Sequence, residues 1–140
     1  MRTKKLLAKA AIATASAFGV ATEADARSDR EKQQAYFNSE YQYCDAIKIA
    51  SVWGTDGYRG KLILGDKVLS GLTNLADADI ASTGRNVPCR WRDLGLTYQD
   101  AEKLAAYWGR TVGDAKAKAE QMASDMGGKQ FHRRMGHVYR

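Results

Sequence analysis

The hydrophobic positions from residue 43 onward recur with the period of an α-helix. The first run has apolar side chains at i, i+3, i+6, i+7 and i+10, occupied by Tyr43, Ala46, Ile49, Ala50 and Trp53. These positions share one stripe of a helix, so the pattern predicts an amphipathic helix that turns this stripe inward. Gly54 follows and can adopt the left-handed backbone that ends a helix. No stretch longer than four residues alternates as a half-buried strand does, so we predict an all-α protein.

A second helix is predicted directly after this glycine. Asp56 is suited to cap its N terminus, and Gly71 is suited to end it. Its inward positions would be Tyr58, Leu62, Ile63 and Leu69. Two helices joined by so short a turn form a helical hairpin, which we place at about residues 42–71.

The motif of the first helix returns 55 residues further along the chain. Residues 43–54 read YCDAIKIASVWG and residues 98–109 read YQDAEKLAAYWG, with seven of the twelve positions identical. A capping box, Thr97 with Asp100, precedes this second copy. We therefore predict an internal duplication, namely two helical hairpins with a repeat of about 55 residues, the second at about residues 97–128.

Two further segments complete the predicted domain. Ser28 and Glu31 form a capping box that should open a short N-terminal helix. Residues 72–96 are predicted to be a linker. The spacing of Leu72, Leu75, Ala76, Asp79 and Ile80 predicts one short helix in it, and residues 84–89, which contain the one proline of the chain, are predicted to be a loop. Residues 27–128 are then expected to form a single helical domain.

The first 26 residues have the composition of a signal peptide. Arg2 and Lys4 make the start positive, residues 6–20 are rich in Ala and Leu, and Ala24 and Ala26 supply the small-x-small pattern of a cleavage site. We expect cleavage near Ala26 and export to the periplasm or the extracellular space. An uncleaved amphipathic anchor is the alternative.

The chain has 2 cysteines, Cys44 and Cys89, and both follow the predicted signal peptide. In an oxidising compartment an even number of cysteines indicates disulfides, so we predict one bond between them. It would clamp the linker onto the first hairpin. The second copy carries Gln99 in place of Cys44, so the clamp is not duplicated. Two metal-binding or catalytic thiols are the alternative.

The formal net charge of +6 is unevenly distributed. Residues 129–140 carry four basic residues and no acidic one, whereas residues 27–128 are balanced. We predict a basic C-terminal tail that contacts an anionic surface. Its contact residues would be Lys129, Arg133, Arg134 and Arg140, with the aromatic residues Phe131 and Tyr139.

Two other interpretations of the tail remain open. His132, Met135 and His137 are a weak candidate for a soft metal site, because imidazole and thioether ligands suit copper. A disordered, solvated terminus is the simpler interpretation. The sequence indicates no cofactor.

The duplicated motif also repeats a pair of charged residues. Asp45 with Lys48, and Asp100 with Lys103, are three positions apart on a helix and could form exposed ion pairs of a few tenths of a kcal/mol. Each aspartate lies in a first turn, where a carboxylate suits the helix dipole. We therefore interpret both pairs as capping and surface features.

A ligand groove between the two hairpins is the functional alternative. Its lining residues would be Tyr43, Lys48, Tyr98, Lys103 and the unduplicated Trp91. The repeated tyrosines and tryptophans could equally be core residues, as such a stripe most often is.

The spacing of Ala50 and Gly54 resembles that of helix-turn-helix DNA readers, whose turn needs small residues. The position six after this glycine is Gly60 in the first copy and Ala115 in the second. No cluster of Arg, Asn and Gln suited to reading bases follows. A tight helical hairpin explains the same spacing without DNA.

These observations predict a small exported binding or structural protein of the cell envelope. Its partner would be an anionic lipid, lipopolysaccharide, peptidoglycan or a protein. A helix-turn-helix-like nucleic-acid-binding protein is the alternative. An enzyme is the third option, although no nucleophile with a neighbouring base can be assembled from the sequence.

Overall fold

The computed structural model describes residues 27–140 and is all-α, as predicted. In the described part the helices are α1 (Asp29–Phe37), α2 (Tyr43–Trp53), α3 (Gly57–Leu69), α4 (Thr73–Thr83), α5 (Tyr98–Trp108), α6 (Val112–Met126) and α7 (Gly128–Tyr139). Short 3-10 turns at Gly84–Asn86 and Trp91–Asp93 lie in the linker. The predicted signal peptide, residues 1–26, lies outside the described residues.

The described chain divides after Glu31 into two units, the second of which is Lys32–Arg140. In the described end of the first unit, Ser28 and Glu31 form the predicted capping box, with N–H to oxygen distances of 3.1 and 3.2 Å. The second unit holds the C-terminal part of α1 and all of α2 to α7. Within residues 27–140, no helix has both the length and the apolar character needed to cross a membrane.

Two helix pairs, α2 with α3 and α5 with α6, correspond in position. Helices α2 and α5 begin and end 55 residues apart, and α3 and α6 begin 55 residues apart. Both first helices end at a left-handed glycine, Gly54 with φ 68° and Gly109 with φ 65°. Both second helices start with a side-chain cap, because Asp56 accepts from the Arg59 N–H and Thr111 accepts from the Asp114 N–H. The shared geometry follows from local signals. An origin by duplication stays a prediction.

Helix α3 approaches its neighbours through two glycines. A Cβ atom on Gly60 would stand 2.0 Å from the carbonyl oxygen of Ala46 in α2. A Cβ atom on Gly65 would stand 1.7 Å from the carbonyl oxygen of Lys32 in α1. Any side chain at either position would force the helices apart, since real contacts of this kind are never so short.

The buried side chains form two clusters. One contains Tyr36, Tyr41, Ala46, Ile49, Leu64, Ala76 and Ile80, which come from α1 to α4 and their connections. The other draws on α5, α6, α7 and the linker, and contains Leu94, Leu104, Ala115, Ala119, Ala123, Phe131, Met135 and Tyr139 together with both cysteines. The predicted disulfide between Cys44 and Cys89 is confirmed, with a Cα–Cα distance of 5.2 Å. It ties α2 to the linker.

The segment predicted as a basic tail, residues 129–140, lies almost entirely in helix α7 and packs into the second cluster. Phe131 and Tyr139 are buried at 0% and 5% exposure, so the expectation that they insert into an anionic surface is wrong. The disordered-terminus interpretation is wrong for the same reason. Buried positions recur three or four residues apart, at Gly128, Phe131, His132, Met135, Gly136 and Tyr139. This stripe was present in the sequence but was masked by the basic residues between its members.

Candidate functional site

Asp45 is buried in the interior of the protein, with 1% exposure, and holds the start of α7. Its Oδ1 accepts from the Gly128 N–H at 2.8 Å, and its Oδ2 accepts from the Lys129 N–H at 2.9 Å. Oδ2 also accepts from the Gln42 N–H at 2.9 Å. Burial raises the pKa of Asp45 to about 6, and the three backbone N–H donors act in the opposite direction. The carboxylate thereby satisfies N–H groups that a helix start leaves without partners.

Lys48 has 0% exposure and ties together three segments of the chain. Its Nζ donates to the carbonyl oxygens of Gly84, Val87 and Ser124, each at 2.7 Å. A fourth acceptor is Thr83 Oγ1 at 3.0 Å. Burial lowers the pKa of the ammonium, while the charges of Asp45 and Asp125 oppose that shift. The ammonium thus holds the linker and α6 against α2 through hydrogen bonds to their backbone carbonyl oxygens.

The interpretation of Asp45 and Lys48 as an exposed ion pair is therefore wrong, and Lys48 cannot line a ligand groove. In the second copy the predicted capping and surface exposure are found, but Asp100 and Lys103 form no ion pair with each other. Asp100 accepts from the Thr97 N–H at 2.9 Å in a capping box, and Lys103 is exposed. The two copies differ because α7 and the linker cover α2, and nothing equivalent covers this face of α5 within the described residues.

A further polar cluster lies beside the start of α7. Lys129 Nζ pairs with Asp77 at 2.9 Å, and the Tyr41 hydroxyl donates to Asp77 Oδ1 at 2.7 Å. The ammonium also lies 4.6 Å from the centre of the Tyr41 ring. Burial, together with the bond to Asp77, raises the pKa of Tyr41. Lys129 is thus a structural cation with 6% exposure, and it is not available to an external anionic surface.

The other basic residues of α7 differ in how far they are neutralised. Arg133 forms a two-point ion pair with Glu40, at 2.7 and 2.9 Å, and the hydrogen bond from Arg133 lowers the pKa of Glu40. Arg134 and Arg140 are exposed. Of the four cations predicted to contact an anionic surface, these two remain accessible without breaking an internal contact to an acidic residue of the described chain.

The residues of the weak metal candidate, His132, Met135 and His137, do not form one site, because His132 and Met135 are buried and His137 is exposed. Both ring nitrogens of His132 are engaged, with the Tyr139 hydroxyl and with the Leu94 carbonyl oxygen. Burial lowers the pKa of His132, and burial raises the pKa of Tyr139 to about 12. His137 is exposed and packs edge-to-face on Tyr107. In the described part of the chain, no group of three His, Cys, Asp or Glu side chains is placed to hold a metal ion.

Several aromatic residues predicted to face inward are exposed instead. Trp53 is 55% exposed, Tyr58 49%, and Tyr98 57%. Leu69, also predicted inward, is 42% exposed. The aliphatic positions of the same stripe are buried, namely Ala46, Ile49, Ala50, Ala101, Leu104 and Ala105.

The exposed rings are associated with lysines of the following helix. Lys61 Nζ lies 5.1 Å from the ring centre of Tyr43 and 5.4 Å from that of Phe37. We call Phe37, Tyr43 and Lys61 the first aromatic–lysine cluster. Both rings are exposed, Phe37 at 59% and Tyr43 at 39%. A cation over a ring is attracted by the negative face of the π system.

A matching arrangement is found in the second helix pair. Lys116 Nζ lies 5.8 Å from the ring centres of both Tyr98 and Trp91. We call Trp91, Tyr98 and Lys116 the second aromatic–lysine cluster. Tyr43 and Tyr98, like Lys61 and Lys116, differ by 55 positions, so this correspondence could have been found from the sequence. Trp91, the unduplicated aromatic, belongs to the second cluster.

The predicted single groove is therefore replaced by two separate clusters. Tyr43 contributes to one, Tyr98 and Trp91 contribute to the other, and Lys48 and Lys103 contribute to neither. Comparisons with protein-family models, curated proteins and solved structures give no match.

Proposed function

We propose that this chain is a small exported protein of the cell envelope that binds an anionic surface or polymer. The observation that carries the proposal is the repeated placement of a lysine near an exposed tyrosine ring, Tyr43 in the first aromatic–lysine cluster and Tyr98 in the second. Lipid headgroups, lipopolysaccharide and peptidoglycan all present anionic groups. A partner protein with an acidic surface is an alternative of the same kind.

Export is supported by the disulfide between Cys44 and Cys89, because such bonds persist in oxidising compartments and are rare in the cytosol. We infer cleavage near Ala26 and a mature chain that begins at Arg27. Mass spectrometry of protein recovered from the producing cells tests both points. A mature mass lacking residues 1–26, with thiols that alkylate only after reduction, is the expected result. Free thiols on an uncleaved chain would contradict it.

The clusters suit an anionic interface for two reasons. A lysine near an anionic membrane contributes about 1 kcal/mol to binding, and this contribution falls with salt. The exposed rings of Phe37, Tyr43 and Tyr98 add apolar contact at the boundary between water and the acyl chains. The cation therefore supplies long-range attraction, and the ring supplies short-range contact.

Sedimentation of residues 27–140 with vesicles tests the proposal. Vesicles of phosphatidylglycerol are compared with vesicles of phosphatidylcholine across a salt series. The variant Lys61→Ala with Lys116→Ala should bind the anionic vesicles about thirtyfold more weakly, since it removes one cation from each cluster at about 1 kcal/mol each. The matched control, Lys103→Ala with Arg110→Ala, removes two exposed cations that lie outside both clusters.

An equal loss in the control would show that net charge, and not the clusters, carries the binding. Absence of binding to any vesicle at low salt would refute lipid as the anionic surface. A third variant, Arg134→Ala with Arg140→Ala, measures what remains of the predicted contribution of the C-terminal segment.

The nucleic-acid alternative has one specific observation in its favour. A Cβ on Gly60 would approach the Ala50 side chain to 3.2 Å, so the two small positions that a helix-turn-helix unit brings together are in contact. The same salt series with duplex DNA decides between the functions. Binding to DNA that exceeds binding to anionic vesicles at equal salt would favour this alternative.

A further inference from the structure

A cavity of about 480 Å³ lies where the linker meets α6, beside the disulfide. Its polar lining comes from Arg85 and Arg90 of the linker and from Glu120, Gln121 and Ser124 of α6, and Cys89 forms part of the wall. Its volume is in the range of small-molecule sites, which place a few convergent polar groups in a concave space. None of these residues belongs to an aromatic–lysine cluster.

The charged residues around this cavity differ in whether an oppositely charged side chain pairs with them. Arg85 pairs with Asp125 through Nε and Nη2 at 2.6 and 3.0 Å, which orients its guanidinium. Glu120 is committed through Oε2, which accepts from the Trp91 N–H at 2.7 Å. Arg90 is exposed and forms no ion pair with another residue of 27–140. Asp125 thus neutralises Arg85, and Arg90 is the cation of the lining that has no acidic partner within residues 27–140.

Ser124 adds a preset donor at the bottom of the cavity. It is 6% exposed, and its Oγ accepts from the Cys89 N–H at 2.8 Å. Because Oγ acts as the acceptor in that bond, the Ser124 hydroxyl can still donate its own proton, and no residue of the described chain accepts it. The Ser124 carbonyl accepts from the Lys48 ammonium at 2.7 Å, so a buried positive charge lies next to this residue.

We propose that this cavity binds a small ligand through an oxyanion, either a carboxylate or a phosphate group. The Arg90 guanidinium and the Gln121 amide donate from the rim, and the Ser124 hydroxyl donates from below. Planar guanidinium groups match both oxyanions, because they can donate two parallel N–H bonds. The site goes beyond the proposed function, since it recognises one small group and not an extended surface.

Two probes distinguish the sources of the oxyanion. Inorganic phosphate and N-acetylglycine are each titrated into ¹⁵N-labelled residues 27–140 with the disulfide intact, at constant ionic strength set with chloride. Tetramethylammonium chloride is the cation control. We expect saturable amide shifts at Cys89, Arg90, Gln121 and Ser124 with at least one oxyanion. The probe that saturates at the lower concentration identifies the favoured class.

The variant Arg90→Gln should weaken this binding about tenfold or more, as expected for loss of one charge-assisted hydrogen bond. Gln121→Ala is the second test and should weaken it less. Arg134→Gln removes an equally exposed arginine from α7 and should leave the titration unchanged. Arg90 is exposed and outside both core clusters, so its replacement should leave the fold intact.

The proposal is overturned if neither oxyanion gives saturable shifts, or if the shifts persist unchanged in Arg90→Gln. Saturable shifts with tetramethylammonium in place of the oxyanions would also overturn it, because Glu120 would then be the binding group. None of these results depends on vesicle binding, so this site and the proposed function can fail separately.

Discussion

Asp45 with Lys48 in α2, and Asp100 with Lys103 in α5, occupy equal positions in one twelve-residue motif and lie in different surroundings. The first pair is almost completely buried, and each residue bonds to distant backbone groups. In the second pair, Asp100 only caps its own helix, and Lys103 is exposed. The motif therefore determines that a helix forms. The segments that pack on the helix determine whether its charged side chains are buried and which groups they bond.

The buried pair does not act as a salt bridge. Asp45 accepts hydrogen bonds from three backbone N–H groups, and Lys48 Nζ has four oxygen acceptors within hydrogen-bond distance. Polar groups of the protein therefore replace the water that would otherwise hydrate each charge. Burying a charge is costly unless such partners replace its hydration. The first copy can afford this because α7 and the linker supply the partners. Four predictions test how the two copies differ in stability, and the comparisons of the lysines and of the aspartates test this explanation directly.

The largest effect is expected from the disulfide, which has no counterpart in the second copy. Replacing Cys44 and Cys89 by alanine should lower the free energy of unfolding by roughly 4 kcal/mol, because the bond closes a loop of 45 residues. Urea unfolding followed by tryptophan fluorescence measures it. Adding reductant to the wild type should reproduce the loss, and it should not affect the variant. Equal stability with and without reductant would contradict the prediction.

The next effect separates the two lysines. Lys48→Met should cost about 3 kcal/mol, since several buried acceptors lose their donor at once. Lys103→Met, the matched control in α5, should change stability by less than about 0.5 kcal/mol, as exposed substitutions usually do. Both are measured by urea unfolding at neutral pH with the disulfide intact. Similar values for the two variants would mean that the buried ammonium contributes nothing beyond its packing.

The two aspartates are compared in the same way. Asp45→Asn should cost about 2 kcal/mol, because one amide oxygen replaces two carboxylate oxygens and at least one buried N–H loses its acceptor. Hydrogen exchange at Gly128 and Lys129 should accelerate, which locates the loss at the start of α7. Asp100→Asn should stay within about 0.5 kcal/mol. Unchanged exchange at these two amides would count against the role of Asp45.

The smallest effect compares a glycine from each helix pair. Gly60→Ala should cost about 1–2 kcal/mol, because the new Cβ meets the Ala46 carbonyl oxygen. Gly113→Ala in α6 should stabilise the protein by about 0.5–1 kcal/mol, since its Cβ meets nothing within 4 Å and alanine favours a helix. Shifts in thermal midpoint of opposite sign are expected. A stabilising Gly60→Ala would show that α3 can move away from α2 freely.

The helix ends and the disulfide could be predicted from the sequence, whereas the role of the last segment could not. Gly54 and Gly109 ended helices as expected, because their effect depends on their own backbone conformation. The sequence does not predict helix α7, because Arg133 and Arg134 indicate a solvated tail, although buried positions recur around them at helical spacing. The lysines of the two aromatic–lysine clusters lie in the second helix of each pair, outside the repeated twelve-residue motif that contains Lys48 and Lys103.

By itself, the sequence determined the local features of this protein: where helices start and stop, which stripe is apolar, and that two cysteines can pair. Each of these depends on residues within a few turns of one another. Only the tertiary structure decided which copy of the charged pair is buried. Asp45 is hydrogen-bonded to Gly128, 83 residues away in sequence, and Lys48 to Ser124, 76 residues away. No pattern of spacing along the chain predicts contacts at such separations. A side chain's role depends on the removal of water around it, and that removal is a property of the assembled fold.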